Sequence, residues 1–186
     1  MNERSINQRL KDKRVAILTA NEGVEEIELK GPLQALRDAG AEVELVAPDE
    51  GQIQAFNHLD KGSHFTVDRT VSDVSESDYD ALVLPGGVAN PANLRTHDDA
   101  VEFAGSFFEA GKPVGAICHA PWTLVEAGVL KGRTLTSWPS LQTDIENAGA
   151  TWVDEEVHID DMLVTSRRPD DLEQFCHQVV ETIAAT

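Results

Sequence analysis

A chain of 186 residues, 41% hydrophobic and 26% charged, has the size of one domain with a sizeable core and the composition of a globular protein, not a disordered one. Its longest apolar runs, such as Val15–Leu18 and Ala81–Leu84, are strand-sized and far below the ~18 residues that a membrane span requires. Thirty-three acidic against fifteen basic side chains leave a net charge of −18, which repels phosphate backbones and anionic lipid and argues against nucleic-acid and membrane partners.

Residues 1–13 are polar and lack an apolar core segment, so they are expected to form an N-terminal extension and not a secretory leader, with a single domain over 14–186. Val15-Ala-Ile-Leu18 reads as a strand buried on both faces. From Glu25 to Ala39 the period turns helical, with Leu29, Leu33 and Leu36 on one face and Gly40 closing the helix. A strand at Glu42–Val46 runs into a Pro48–Gly51 turn. Residues 52–78 are irregular and predict an excursion from the main sheet. A strand over Ala81–Leu84, a Pro85-Gly-Gly87 turn and a helix over Asp98–Ala110 follow. Next come a strand over Pro113–Ile117 and a helix over His119–Ala127 ending at Gly128. Leu135–Ser137, a helix near Leu141–Ala148, a strand at Met162–Ser166 and a last helix from Pro169 complete the chain. Buried strands alternating with helices imply an α/β fold whose mostly parallel, doubly wound sheet is covered on both faces, a three-layer α/β/α sandwich. Ligands in such a fold bind beyond the carboxyl ends of the strands, which narrows the search to Ala20–Glu28, Gly86–Asn93 and Cys118–Trp122.

The strongest chemical signal is Pro113-Val-Gly-Ala-Ile-Cys-His-Ala-Pro-Trp122, which places Cys118 between a buried strand and a helix. A sharp strand-to-helix turn presents its side chain as a nucleophile elbow does, and the following helix N-terminus is expected to lower the thiol pKa. Cys176, inside the last helix, reads as packing. Two cysteines without a leader imply a reducing, cytoplasmic setting and no disulfide framework. The Pro85-Gly86-Gly87 turn can aim backbone N–H groups at an anion, so Gly87 and His119 are candidate oxyanion donors. Glu25 and Glu28 lie three apart. Glu28 continues through Pro32, Ala35 and Ala39, a small apolar line that predicts burial and a raised pKa, whereas Glu22 and Glu26 fit the acidic surface. The acids recur along the whole chain and only six of the fifteen basic residues are lysines. Such a coat is expected of a protein kept soluble in a high-salt, halophilic cytoplasm.

These residues resemble the PfpI/ThiJ superfamily, of the class I glutamine amidotransferase-like, flavodoxin-like fold. The resemblance covers roughly Arg14 to the C-terminus and is anchored by Gly23–Leu29, Ala81–Gly87, Gly111–Pro121, Asn147–Gly149 and Thr165–Arg167. It implies that Cys118 is the nucleophile, Glu28 the carboxyl beside it, His119 the histidine of the PfpI-like branch and Gly87 an oxyanion donor. Glu25 and Trp138 are secondary candidates; Trp138 stands where another branch carries a histidine. The protease branch draws a glutamate from a neighbouring subunit after the Pro-Gly-Gly turn, yet Val88–Asn93 contains no acid. His158-Ile-Asp160 echoes an amidotransferase His-x-Glu but lies too close to the cysteine and reads as an edge strand.

The resemblance implies a cysteine-dependent enzyme acting on small carbonyl or peptide substrates without cofactor or metal, as a homodimer or higher homo-oligomer. The family is variously assigned glyoxalase, deglycase and peptidase activity. The missing acid ranks carbonyl detoxification above proteolysis, with a non-catalytic redox-sensing stress protein as a further alternative.

Overall fold

The apolar tetrapeptides form the centre of the sheet. In the computed structural model, which describes residues 8–186, β1 (Arg14–Leu18) pairs in parallel with both β3 (Glu42–Ala47) and β7 (Ala81–Leu84). Strand β7 continues to β8 (Val114–Ile117) and β8 to β12 (Leu163–Ser166), also in parallel. The edges are β6 (Arg69–Thr70) and β11 (Val157–Asp160), the latter antiparallel. The resulting seven-stranded order is β11-β12-β8-β7-β1-β3-β6. All four residues of β7, of β8 and of β12 are buried, because helices cover both faces as parallel pairing demands.

Side chains alternate between two apolar layers. Val15 and Ile17 point to one layer, with Leu29, Leu33 and Leu36 of α1 (Glu26–Asp38). Ala16 and Leu18 point to the other, with Phe103 and Phe107. Helix α2 (Ala89–Leu94) follows β7, and α3 (Asp98–Glu109) leads to β8. Helix α4 (Pro121–Glu126) follows β8, and α5 (Gln142–Asn147) packs beside it. Helix α6 (Leu172–Ala184) closes the chain against α1, contributing Phe175, Val179 and Ile183 to the first layer. Two short strands, β9 (Thr134–Leu135) and β10 (Thr151–Trp152), form a separate parallel pair. Among the described residues no helix is long and apolar enough to cross a membrane.

Several stretches take a more definite form than their sequence predicts. Of the extension expected over 1–13, residues 1–7 lie outside the described residues. Beyond them, Leu10 is fully buried in the α1 layer and donates its N–H to the Ala39 carbonyl at 2.8 Å. The irregular stretch 52–78 contains a hairpin, β4 (Gln52–Asn57) and β5 (Asp60–Thr66), which joins β2 (Glu22–Glu25) in a second, three-stranded sheet. Its outward face is polar and β5 is mostly exposed, which erases the apolar alternation that marks a strand. Helix α4 begins at Pro121 and not at His119, and α2 occupies a stretch between the Pro85–Gly87 turn and Asp98 for which the sequence predicts no element.

Candidate active site

Strand β8 ends at Ile117, and Cys118 takes a positive φ of 63°, a conformation of order 1–3 kcal/mol above ordinary backbone for a residue with a Cβ. The surrounding structure holds it there. The Cys118 N–H donates to the Ser166 carbonyl at 3.0 Å, and its own carbonyl accepts from Trp138 N–H at 2.9 Å. Sγ lies 3.2 Å from His119 Nδ1. The expected elbow is therefore present, at the carboxyl end of a central strand.

Against it lies the Pro-Gly-Gly turn. A Cβ on Gly86 would come within 2.4 Å of Glu28 Oε2 and 2.7 Å of the Cys118 Cβ, so only glycine lets the two acids meet. Gly87 has φ 87°. Its N–H and that of His119 face the sulfur and favour the thiolate. The turn is fixed by a residue the sequence reading missed. Asn90, 1% exposed, donates to the carbonyls of Pro85 (2.9 Å) and Gly86 (3.3 Å) and accepts the Ala20 N–H (2.7 Å). A lone Asn before a proline looks like loop punctuation, and no spacing rule distinguishes it.

Glu28 is fully buried and its Oε2 accepts the Gly86 N–H at 2.9 Å. Burial pushes its pKa up to about 8; contact with the Cys118 thiol opposes this, the charge of Glu25 adds to it, and the Gly86 and Gly87 N–H groups hold it back. The expectation of a buried carboxyl with a raised pKa agrees with this geometry. Its second oxygen, Oε1, has no partner that meets hydrogen-bond geometry. The thiol departs from expectation. Burial and then the Glu28 charge drive the Cys118 pKa up, against the pull of the two N–H groups. The helix dipole that was expected to lower it is weak here, because α4 has only six residues and opens three positions later.

The His119 ring lies between two indoles, with centroids 5.3 Å from Trp122 and 5.5 Å from Trp138, the latter stacked. Burial lowers its pKa to about 4, so it is neutral at physiological pH. Among the described residues no carboxylate hydrogen-bonds to it. Glu25 ends β2, and its Oε2 accepts the His58 N–H at the hairpin turn (3.1 Å), so the β4–β5 hairpin forms one wall of the cleft. The cleft, about 620 Å³, is lined by Cys118, His119, Glu25, Glu28, Gly87 and Trp138 among others.

Residues 22 and 26 part company. Glu22 is exposed at the cleft mouth. Glu26, expected on the acidic surface, is 8% exposed and anchors the hairpin. Its carboxylate pairs with Lys30 and accepts from Ser63 N–H (2.7 Å) and Ser63 Oγ (2.9 Å). His158 sits on edge strand β11, paired with Glu155 at 2.7 Å, outside the cleft. Cys176 packs half-buried between α6 and α1, and burial pushes its thiol up to about 12. No cluster of three or more His, Cys, Asp or Glu able to hold a metal occurs among the described residues.

A strained cysteine elbow between a buried carboxyl and a Pro-Gly-Gly turn, on a doubly wound sheet, defines a flavodoxin-like protein of the class I glutamine amidotransferase-like type. The chain belongs to the DJ-1/PfpI family, whose description matches residues 13–182. It is 42% identical over 170 residues to deglycase PH1704 of Pyrococcus horikoshii, covering 91% of this chain and 99% of that one. It is 41% identical over 170 residues to deglycase PfpI of Pyrococcus furiosus, with the same coverage. Among solved structures, Drosophila melanogaster DJ-1beta superposes with a TM-score of 0.84 at 28% identity, covering 94% of this chain and 91% of that one.

Proposed function

We propose that the protein is a cysteine-dependent enzyme of the deglycase or glyoxalase type, acting on reactive carbonyls and their amine adducts in a reducing cytoplasm. The observation that carries this reading is the juxtaposition of Cys118 with a carboxyl of pKa about 8 and two backbone N–H donors at the floor of one cleft. The two archaeal relatives named deglycases support the choice of chemistry.

Magnitudes select the proton carrier. His119, near 4, is a weak base at neutral pH, while Glu28, near 8, is poised to take and return a proton. In the addition step, ionised Glu28 takes the thiol proton and Sγ forms a bond to the carbonyl carbon. The π pair moves to oxygen, which the Gly87 and His119 N–H groups hold. Glu28, now the neutral acid, returns the proton to that oxygen. For a hemiaminal adduct on an amine, neutral Glu28 protonates the nitrogen as the C–N bond breaks, and the hydroxyl oxygen re-forms the carbonyl and passes its proton back to Glu28. The freed carbonyl then takes the same thiol addition. Trp122 and Trp138 hold the His119 ring in place, so His119 contributes through its backbone N–H and its packing.

The test is a three-substrate panel of methylglyoxal, a glycated peptide and a fluorogenic peptide, run on the native chain and on Cys118→Ala. Turnover of one of the first two, abolished in Cys118→Ala, is the expected result. Cleavage of the fluorogenic peptide alone would replace this reading with a peptidase. A single stoichiometric modification of Cys118 without turnover would replace it with a redox-sensing protein.

A further inference from the structure

The cleft over Cys118 is lined by carboxylates and by no lysine or arginine. Glu22 stands exposed at its mouth, and Glu25 is held on its wall by the His58 N–H at 3.1 Å. The floor adds a fully buried carboxyl, Glu28, whose Oε1 has no hydrogen-bond partner. Two histidines also line the cleft: His119 is held neutral by burial, and His58 meets Glu25 through its backbone N–H. Around the mouth, Leu59 (95% exposed) and Val88 (60%) are apolar. A low-dielectric wall bearing charge of one sign focuses the field inside a cleft.

We propose that Glu22 and Glu25 make this cleft charge-selective: it admits neutral and cationic carbonyl compounds, such as adducts on lysine- or arginine-rich peptides, and excludes anionic ones, such as α-keto acids and phosphorylated aldehydes. This deepens the proposed function by assigning a substrate class to the same site. The selection is local to the mouth and separate from the overall charge. Glu109, by contrast, ends α3 just ahead of β8, at the opposite end of the sheet from the elbow.

The experiment reads the thiol directly and needs no turnover. In a Cys176→Ser background, Cys118 is labelled at fixed pH with trimethylammonioethyl or with sulfonatoethyl methanethiosulfonate. Each labelling forms one disulfide bond and releases methanesulfinate. The ratio of cationic to anionic rates, divided by the same ratio for free cysteine, cancels the thiolate fraction and leaves access alone. The expected ratio is about tenfold or more at low salt, falling toward unity in molar KCl. Glu25→Gln and Glu22→Gln each lower it about threefold, and Glu109→Gln leaves it unchanged. A normalised ratio near one, or an equal loss in Glu109→Gln, overturns the selectivity while leaving the nucleophile intact. Failure of both reagents to label Cys118 would remove the nucleophile itself, and the proposed function with it.

Discussion

Glu28 carries the largest consequence of any single residue. Its folded pKa of about 8 lies above the ordinary 4.5, so between those values the native state keeps a proton that the unfolded chain has released. By linkage its contribution to stability is complete below about pH 4.5 and is lost as pH rises through about 8, with a slope of at most ~1.4 kcal/mol per pH unit. Denaturant melts from pH 5 to 8 should show this decline in the native chain and a flatter profile in Glu28→Gln; parallel profiles would take Glu28 out of the titration. The same carboxyl should govern the thiol. Glu28→Gln keeps a donor toward Sγ, whereas Glu28→Leu removes it. Because the Glu28 charge pushes the Cys118 pKa up, the thiol should titrate lower in Glu28→Gln, which removes the charge and keeps the donor, than in the native chain. It should titrate higher in Glu28→Leu than in Glu28→Gln, by roughly one unit for a hydrogen bond of about 1.5 kcal/mol. Thiolate ultraviolet absorbance in a Cys176→Ser background measures it, with exposed Glu109→Gln as the control. Equal titration of the Gln and Leu variants would contradict the assignment.

At the scale of elements, the hairpin β4–β5 depends on Glu26 at the start of α1. Hydrogen bonds from Lys30 and Ser63 lower the Glu26 pKa to about 2. The depressed value means that its stabilisation is present above about pH 4.5 and is lost as pH falls toward 2. Glu26→Gln should therefore be less stable than the native chain at pH 6 and lose less on acidification, with faster amide exchange at Ser63. Unchanged exchange there would show that the hairpin does not need the pin. This element also marks where the sequence stopped being legible. Strands β1, β7 and β8 are visible because burial on both faces makes them continuous apolar runs, and the elbow at Cys118 is visible because a strand and a proline-led helix flank it. Glu28 could be placed by its apolar helical line. Glu26 could not, because its partner Ser63 is 37 residues away and no local period records a contact across the chain. Asn90 escaped because an Asn before a proline reads as loop punctuation and its Ala20 partner is 70 residues away.

For the whole molecule, the charge of −18 is set against two apolar layers that hold the sheet. Ionic screening reaches ~10 Å at 0.1 M salt, so self-repulsion is largest in dilute buffer. The melting temperature is expected to rise between dilute buffer and molar KCl; an unchanged value would reject the halophilic reading. Association into a homodimer or larger homo-oligomer is the corresponding proposal for assembly, given that C₂ dimers are the commonest closed form. Sedimentation in the same two buffers decides it, and a monomer in both would reject it.

The two indoles that flank His119 also give the protein an optical gauge. The third tryptophan, Trp152, donates its Nε1–H to Ser137 Oγ at 3.0 Å, next to Trp138, so all three light-absorbing indoles gather around His119 and Ser137, with Trp138 lining the cleft itself. Ultraviolet emission thus reports on the neighbourhood of the nucleophile and hardly at all on the remainder of the fold. An imidazolium is a strong quencher of indole emission. Intensity should therefore drop as His119 protonates near pH 4, at acidities where far-ultraviolet circular dichroism is still native, and the drop should vanish in His119→Phe. A covalent adduct on Cys118 would be seen by the same light, without any added dye.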